Sequence, residues 1–64
     1  MAIQLTRLRA IREQNALSQQ QLADKSGVSR YTIGRLENGE RSARPSTTQK
    51  LAKALGVEPK DLMA

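Results

Sequence analysis

Two consecutive helix-start signals, separated by one glycine, constrain the fold of this chain more strongly than any other feature of its sequence. Ser18 offers a hydroxyl at an N-cap, and Gln21 offers an amide at the third helical position, which together form a capping box. Ser29 offers a second N-cap, and Gly27 lies between the two serines, where a tight turn favours glycine. The sequence therefore predicts a pair of short helices joined by a turn. These helices are expected at residues 19–26 and 30–38.

Apolar spacing and end signals predict three further helices. Near the N-terminus, apolar residues recur at every third position, at Leu5, Leu8 and Ile11. Asn15 suits a left-handed end to this first helix, Ser46 suits an N-cap, and Pro59 suits a first helical position. The predicted bounds are 3–14, 47–55 and 59–63. The expected fold class is therefore all-α, a compact five-helix bundle.

The composition limits both the size and the chemistry of the protein. Its 64 residues allow one domain, spanning 1–64. The absence of cysteine and histidine removes thiolate zinc ligands, a catalytic thiol and the most common general base. The acidic residues form no spaced pair on one predicted helix face. We therefore expect no enzyme activity, no cofactor, no metal and no small-molecule site.

The charge balance favours a polyanionic partner. The chain has 11 Lys and Arg against 6 Asp and Glu, a formal net charge of +5, although charge alone does not separate nucleic acid from a membrane surface. No apolar run approaches the roughly 20 residues of a membrane span, and the N-terminus lacks the apolar stretch of a signal peptide. We therefore expect a cytoplasmic protein, associated with a bacterial or phage nucleoid, without a membrane partner.

The helix predicted at 30–38 has a cationic outer face. At 100° per residue, Ile33 and Leu36 mark its buried side. Three residues fall roughly opposite: Tyr31, Arg35 and Asn38. Arg30 lies in the first turn, where its side chain projects past the helix end. Since the major groove of B-DNA admits one α-helix and arginine pairs with guanine, this face suits the reading of bases.

Two charges point toward the predicted core. Arg12 lies about 40° from Leu8, and Glu37 lies about 40° from Ile33, on the apolar sides of their helices. Burying either ion alone would cost several kcal/mol. We therefore expect Arg12 and Glu37 to form an ion pair between the first and third helices.

The residues from Leu17 to Gly39 resemble a known family. This run, LSQQQLADKSGVSRYTIGRLENG, is similar to the helix-turn-helix of the lambda-type repressor and Cro family, the Xre-like transcriptional regulators. The matching positions are Ala23, Gly27, Val28, Ile33, Leu36, Glu37, Asn38 and Gly39, followed downstream by Leu51, Leu55, Gly56, Val57 and Leu62. The resemblance covers about residues 4–63 and implies a lambda repressor-like DNA-binding domain.

This resemblance implies double-stranded DNA as the partner, with the third helix in the major groove. The base-reading residues are then Arg30, Tyr31 and Arg35. The residues expected at the DNA backbone are Gln19, Ser29, Asn38, Arg41 and Arg44. Two positions depart from the family: Gly34 offers no side chain to the groove, and Glu40 stands where relatives often carry a basic residue.

A homodimer is expected on an inverted-repeat operator. Most other apolar residues are assigned to the predicted core, so the candidate dimer contact is the apolar C-terminal end of the sequence: Val57, Pro59, Leu62 and Met63. Family members of this size include phage-type repressors, antitoxins and restriction-modification controller proteins, and the sequence does not choose among them.

Several alternatives stay open. Arg30 and Arg35 suit a solvated helix face as well as a DNA contact, and Tyr31 suits a partly buried core position. Arg41 and Arg44 suit simple solubility, and Lys50 and Lys53, on the outer face of the fourth helix, need no partner. The alternative function is a helix-turn-helix module, such as an antitoxin, that binds another protein instead of DNA.

Overall fold

A computed structural model describes residues 3–63 of the chain. Across these residues the chain forms four α-helices and one short 3-10 helix. The α-helices are α1 (Leu8–Gln14), α2 (Gln19–Ser26), α3 (Arg30–Glu37) and α4 (Pro45–Leu55), and the 3-10 helix covers Pro59–Leu62. The all-α prediction is confirmed. The count of five α-helices is wrong because the last turn closes with i to i+3 bonds, in which Asp61 N–H donates to Glu58 O at 2.9 Å.

The two capped helix starts are where the sequence predicts them. Gln21 N–H donates to the Ser18 hydroxyl at 3.0 Å, and Ser18 N–H donates to Gln21 Oε1 at 2.8 Å, which completes the capping box. Gly27 ends α2 at a φ of 77°, in the left-handed region that glycine adopts without strain. Thr32 N–H donates to the Ser29 hydroxyl at 3.1 Å and starts α3. The helix predicted at 30–38 ends one residue earlier, at Glu37.

The predicted helix at 3–14 begins too early. Ile3 instead forms an isolated antiparallel bridge with Ala43, in which each N–H donates to the other residue's carbonyl at 2.7 Å. Leu5 is buried in this non-helical segment, and α1 starts only at Leu8. The bridge pairs the backbone N–H and C=O groups of Ile3 and Ala43 with each other. If a helix began at Ile3, the N–H groups of both residues would lose these hydrogen bonds.

The end of α1 and the start of α4 also differ from the prediction. Asn15 has a φ of −89°, and the left-handed residue is Ala16, with a φ of 56°. The Asn15 side chain instead donates to Ile11 O at 2.9 Å. Helix α4 begins at Pro45 with Arg44 as its N-cap, so Ser46 is not the cap. Proline takes the first helical position because its ring fixes a helical φ and its missing N–H costs no bond there.

The hydrophobic core leaves one face of α3 free. The core contains Leu5, Leu8, Ile11, Leu22, Ala23, Val28, Ile33, Leu36, Ala43, Leu51, Ala52, Leu55 and Leu62. Ile33 and Leu36 anchor α3 in it, so the opposite side of this helix faces solvent. Among the described helices, none is both long and apolar enough to cross a membrane.

Candidate nucleic-acid interface

The outer face of α3 carries the residues that the sequence predicts to read bases. Tyr31 is 66% exposed, Arg30 is exposed, and the Arg35 side chain is 41% exposed. The alternative that Tyr31 is a partly buried core residue is therefore wrong. The structure places all three side chains on a helix whose other side is locked into the core by Ile33 and Leu36. The result is a short, rigid cationic ridge one helix wide.

Tyr31 and Arg35 form a unit on this ridge. Arg35 Nη1 donates to the Tyr31 hydroxyl oxygen at 2.6 Å, and the guanidinium carbon lies 5.4 Å from the ring centroid. This hydrogen bond raises the pKa of Arg35 above its ordinary value. Glu40 Oε1 lies 3.6 Å from Arg35 Nε, beyond a hydrogen bond but close enough to orient the charge. The guanidinium plane is thus held from two sides before any ligand arrives.

Glu37 joins three elements beneath the ridge. Arg12 donates to it through Nε, 2.6 Å from Oε2, and through Nη2, 3.0 Å from Oε1. Arg9 Nε and Gln19 Nε2 also donate to Glu37 Oε1, at 3.3 Å and 3.1 Å. The Glu37 side chain is fully buried, and Arg12 Nη1 donates further to Leu17 O at 2.7 Å. The structure thus brings Arg12 and Glu37 together as a bidentate pair between α1 and α3.

Two partners of Glu37, Arg9 and Gln19, are not predicted from the sequence. Arg9 lies one position outside the apolar stripe of α1, and its side chain is 51% exposed. Gln19 was assigned only to DNA. The contact between Gln19 and Glu37 could have been predicted from the position of Gln19 as the first residue of α2, because the start of α2 packs against α3. At Gly34, an added Cβ atom would lie 4.0 Å from the side-chain amide atoms of Gln19.

The pKa of Glu37 reflects a balance of burial and hydrogen bonding. Burial alone favours the neutral acid and raises the pKa of the carboxyl group. The hydrogen bonds from Arg12, Gln19 and Arg9 outweigh burial and lower the pKa of Glu37 below its ordinary value. The same contact raises the pKa of Arg12, since Glu37 stabilises the charged guanidinium. Both groups are therefore ionised near neutral pH.

Three residues predicted at the DNA backbone already have partners within the protein. Besides its bond to Glu37, Gln19 retains a side-chain oxygen and a second N–H. Ser29 caps α3 and donates its hydroxyl to Thr32 Oγ1 at 2.9 Å. Asn38 accepts from Arg9 Nη2 at 3.0 Å through Oδ1. These contacts fix the side chains at the start of α2 and at the two ends of α3.

Arg41 and Arg44 lie in and after the loop that follows α3. Both are exposed, and both line a groove of about 330 Å³ between α3, this loop and the start of α4. Thr32, Thr47 and Lys50 line the same groove. The structure therefore places two predicted backbone residues beside α3, together with Lys50, for which the sequence predicts no partner.

The predicted dimer contacts divide into two groups. Leu62 is fully buried in the core of its own chain, so its assignment to a second subunit is wrong. The 3-10 helix turns this side chain into the core, and the Leu62 backbone carbonyl accepts from Arg7 N–H, just before α1, at 3.0 Å. Met63 is 38% exposed, and Val57 and Pro59 are partly exposed. These three side chains remain available to a partner.

A family model described as helix-turn-helix matches residues 8–62, which covers the whole folded unit from α1 to the 3-10 helix. The chain belongs to this family. The match includes the capped α2–α3 pair, the part of the sequence that resembles the Xre-like helix-turn-helix.

Relatives within the family are regulatory proteins. The chain is 49% identical over 57 residues to the HTH-type transcriptional repressor RghR of Bacillus subtilis. This alignment covers 88% of this chain and 42% of RghR. It is 45% identical over 56 residues to the control protein C.SmaI of Serratia marcescens, covering 88% of this chain and 67% of C.SmaI. The chain thus spans less than half the length of RghR.

A solved structure has the same fold. The crystal structure of the restriction-modification controller protein C.AhdI from Aeromonas hydrophila superposes with a TM-score of 0.85 at 42% identity. The alignment covers 89% of this chain and 86% of that chain. The helix-turn-helix and the flanking helices are therefore arranged as in a known controller protein.

Proposed function

We propose that the protein is a sequence-specific, double-stranded DNA-binding transcriptional regulator that acts by occupying an operator. The observation that carries this proposal is the outer face of α3, where Arg30, Tyr31 and Arg35 project from a helix anchored in the core. A cationic face one helix wide fits the major groove of B-DNA. Because its proposed ligand is chromosomal or phage DNA, the protein acts in the cytoplasm.

Base reading is assigned to the ridge on α3. Arg30 and Arg35 offer planar forks that pair with guanine O6 and N7. The Tyr31 ring offers an apolar face to a thymine methyl group, and its hydroxyl holds the Arg35 guanidinium in one orientation. Holding this fork in advance reduces the side-chain entropy that is lost on binding.

Backbone contacts are assigned to side chains around the ridge. Gln19 and Asn38 lie at helix ends and carry side-chain amide N–H groups that can donate to phosphate oxygens. Ser29 would donate to a phosphate by turning its hydroxyl away from Thr32. Arg41 and Arg44 are exposed in and after the loop that follows α3, which suits electrostatic contact with phosphates more than base reading. These contacts would fix the register of α3 in the groove.

A homodimer on an inverted repeat is the proposed assembly. Met63, with Val57 and Pro59 beside it, forms the apolar surface available at the C-terminal end of the described chain. Two copies related by a two-fold axis would present two α3 ridges to one side of the duplex.

Selection of bound fragments from a pool of random duplexes tests the proposal. We expect enrichment of an inverted repeat whose half-site centres lie about one helical turn, roughly 10 base pairs, apart or a multiple of it. Recovery of no enriched sequence, with binding that is insensitive to the loss of Arg35, would contradict sequence-specific recognition and favour the protein-interaction module.

A further inference from the structure

We infer that a second cationic surface binds the phosphate backbone of DNA that flanks the operator. This surface, the α4 strip, consists of Lys25, Arg41, Arg44, Lys50 and Lys53. The inference rests on the proposed function and extends it, because it assigns a role to lysines that lie away from the α3 ridge.

The α4 strip is continuous because two grooves share one lysine. The first groove, of about 330 Å³, lies between α3, the following loop and the start of α4, and Lys50 lines it together with Arg41 and Arg44. The second groove, of about 450 Å³, lies between the end of α2 and the middle of α4, and Lys50 lines it together with Lys25 and Lys53. The strip therefore runs from the loop after α3 along the length of α4.

The charges of the strip are not neutralised within the part of the chain that the structure describes. All five side chains belong to exposed residues. No acidic residue lines either groove. The ion pairs formed within residues 3–63 involve Arg9, Arg12 and Arg35, none of which belongs to the strip. Five like charges on one side of a small domain repel one another and favour a polyanion there.

The chemistry of the strip favours DNA phosphates over a protein surface. The two large hydrophobic side chains exposed on the described residues are Tyr31 and Met63, and neither lines the grooves, so the strip lacks the apolar anchor typical of protein interfaces. Duplex DNA carries a regular row of phosphates, which lysines meet as point charges without reading sequence. Arg41 and Arg44 form one end of the strip and are already assigned to the operator backbone, so the three lysines would extend the same row of phosphate contacts outward.

Two duplexes separate flanking contacts from operator contacts. One ends at the outermost base pairs of the operator found by selection, and the other extends it by about one helical turn, roughly 10 base pairs, on each side. The variants are Lys50→Gln/Lys53→Gln in the strip and, as a control that removes the same charge, Arg7→Gln/Lys60→Gln. Arg7 and Lys60 are exposed and line neither groove.

We expect wild type and the control to bind the long duplex more tightly than the short one. The strip variant should bind the long duplex roughly tenfold more weakly than the control does, with a slope of log K against log salt flatter by about one unit per lost contact in each subunit. On the short duplex, strip and control variants should agree within about twofold.

Three results would overturn the inference. Equal binding of both duplexes by wild type would mean that flanking DNA is not contacted, as expected if the strip serves an acidic protein. An equal loss on both duplexes for the strip variant would place the lysines on the operator itself. Failure of wild type to bind either duplex specifically would overturn the proposed function, and this inference with it.

Discussion

At the scale of single residues, the two classes of arginine should respond differently to truncation. Arg35 projects from the α3 ridge, so Arg35→Ala should cost about 1 to 3 kcal/mol on the selected operator and much less on unrelated DNA. Arg44 lies beside the ridge, so Arg44→Ala should weaken both DNAs about equally and flatten the salt slope by roughly one unit per contact in each subunit. Titrations of both DNAs across a salt series measure these effects. An equal loss for Arg35→Ala would show that α3 does not read bases.

Gly34 should be replaceable without loss of stability. It lies within α3, where glycine costs about 1 kcal/mol relative to alanine, and an added Cβ atom would meet Gln19 at an ordinary contact distance of 4.0 Å. Gly34→Ala should therefore raise the free energy of unfolding by about 0.5 to 1 kcal/mol in urea titrations. Gly27→Ala is the matched control and should destabilise, because Gly27 has a φ of 77° although no atom lies within 4 Å of its Cβ position. A stability loss in Gly34→Ala would mean that the α2–α3 contact tolerates no added carbon.

At the scale of helices, the Arg12–Glu37 pair fastens α1 to α3 beneath the ridge. Arg12→Ala or Glu37→Ala should each lower the free energy of unfolding by more than about 2 kcal/mol, because the remaining ion is left buried without its main partner. The double replacement Arg12→Met/Glu37→Leu should recover much of that loss. Single variants within about 0.5 kcal/mol of wild type in denaturant titrations would mark the pair as ordinary surface charges.

The lowered pKa of Glu37 gives this contact a defined pH dependence. The unfolded chain protonates Glu37 at its ordinary pKa of 4.5, whereas the folded chain protonates it at a lower pH. The stabilisation is therefore fully present above about pH 4.5 and is lost as the pH falls through the folded pKa. In thermal unfolding from pH 7 downward, the stability advantage of wild type over Glu37→Gln should shrink below that pH. Glu13 is exposed, so the control Glu13→Gln should show the same pH dependence of stability as wild type. If the stability difference between wild type and Glu37→Gln stayed constant with pH, the Glu37 carboxylate would not be the source of this pH dependence.

The predictability of each element depended on the range of the interactions that form it. The starts of α2 and α3 were predictable because Ser18 and Ser29 bond to backbone only three residues away. The Arg12–Glu37 contact was predictable because an unpaired charge on an apolar face needs a partner. The bridge between Ile3 and Ala43 joins distant segments by backbone alone, so no local pattern indicates it. The inward turn of Leu62 likewise depends on how the 3-10 helix packs.

At the scale of the whole molecule, the described domain measures 27 × 22 × 18 Å, so one copy contacts only a short stretch of duplex. A single α3 ridge offers the three side chains that we propose read bases. Under this proposal, specific recognition of a longer operator requires a second copy, and the symmetry of the bound site reports on it.

The proposed dimer should depend on Met63. Its side chain is 38% exposed and lies outside the core, so Met63→Asp should leave the fold intact while placing a charge in the proposed apolar contact. Sedimentation should show a shift toward monomer, and binding of the inverted repeat should weaken more than binding of one isolated half-site. Lys60→Asp, on the exposed side of the 3-10 helix, is the control for the added negative charge. If both variants kept the wild-type mass and affinity, or if wild type occupied a single non-repeated site as one subunit, the two copies would not meet through this end of the chain.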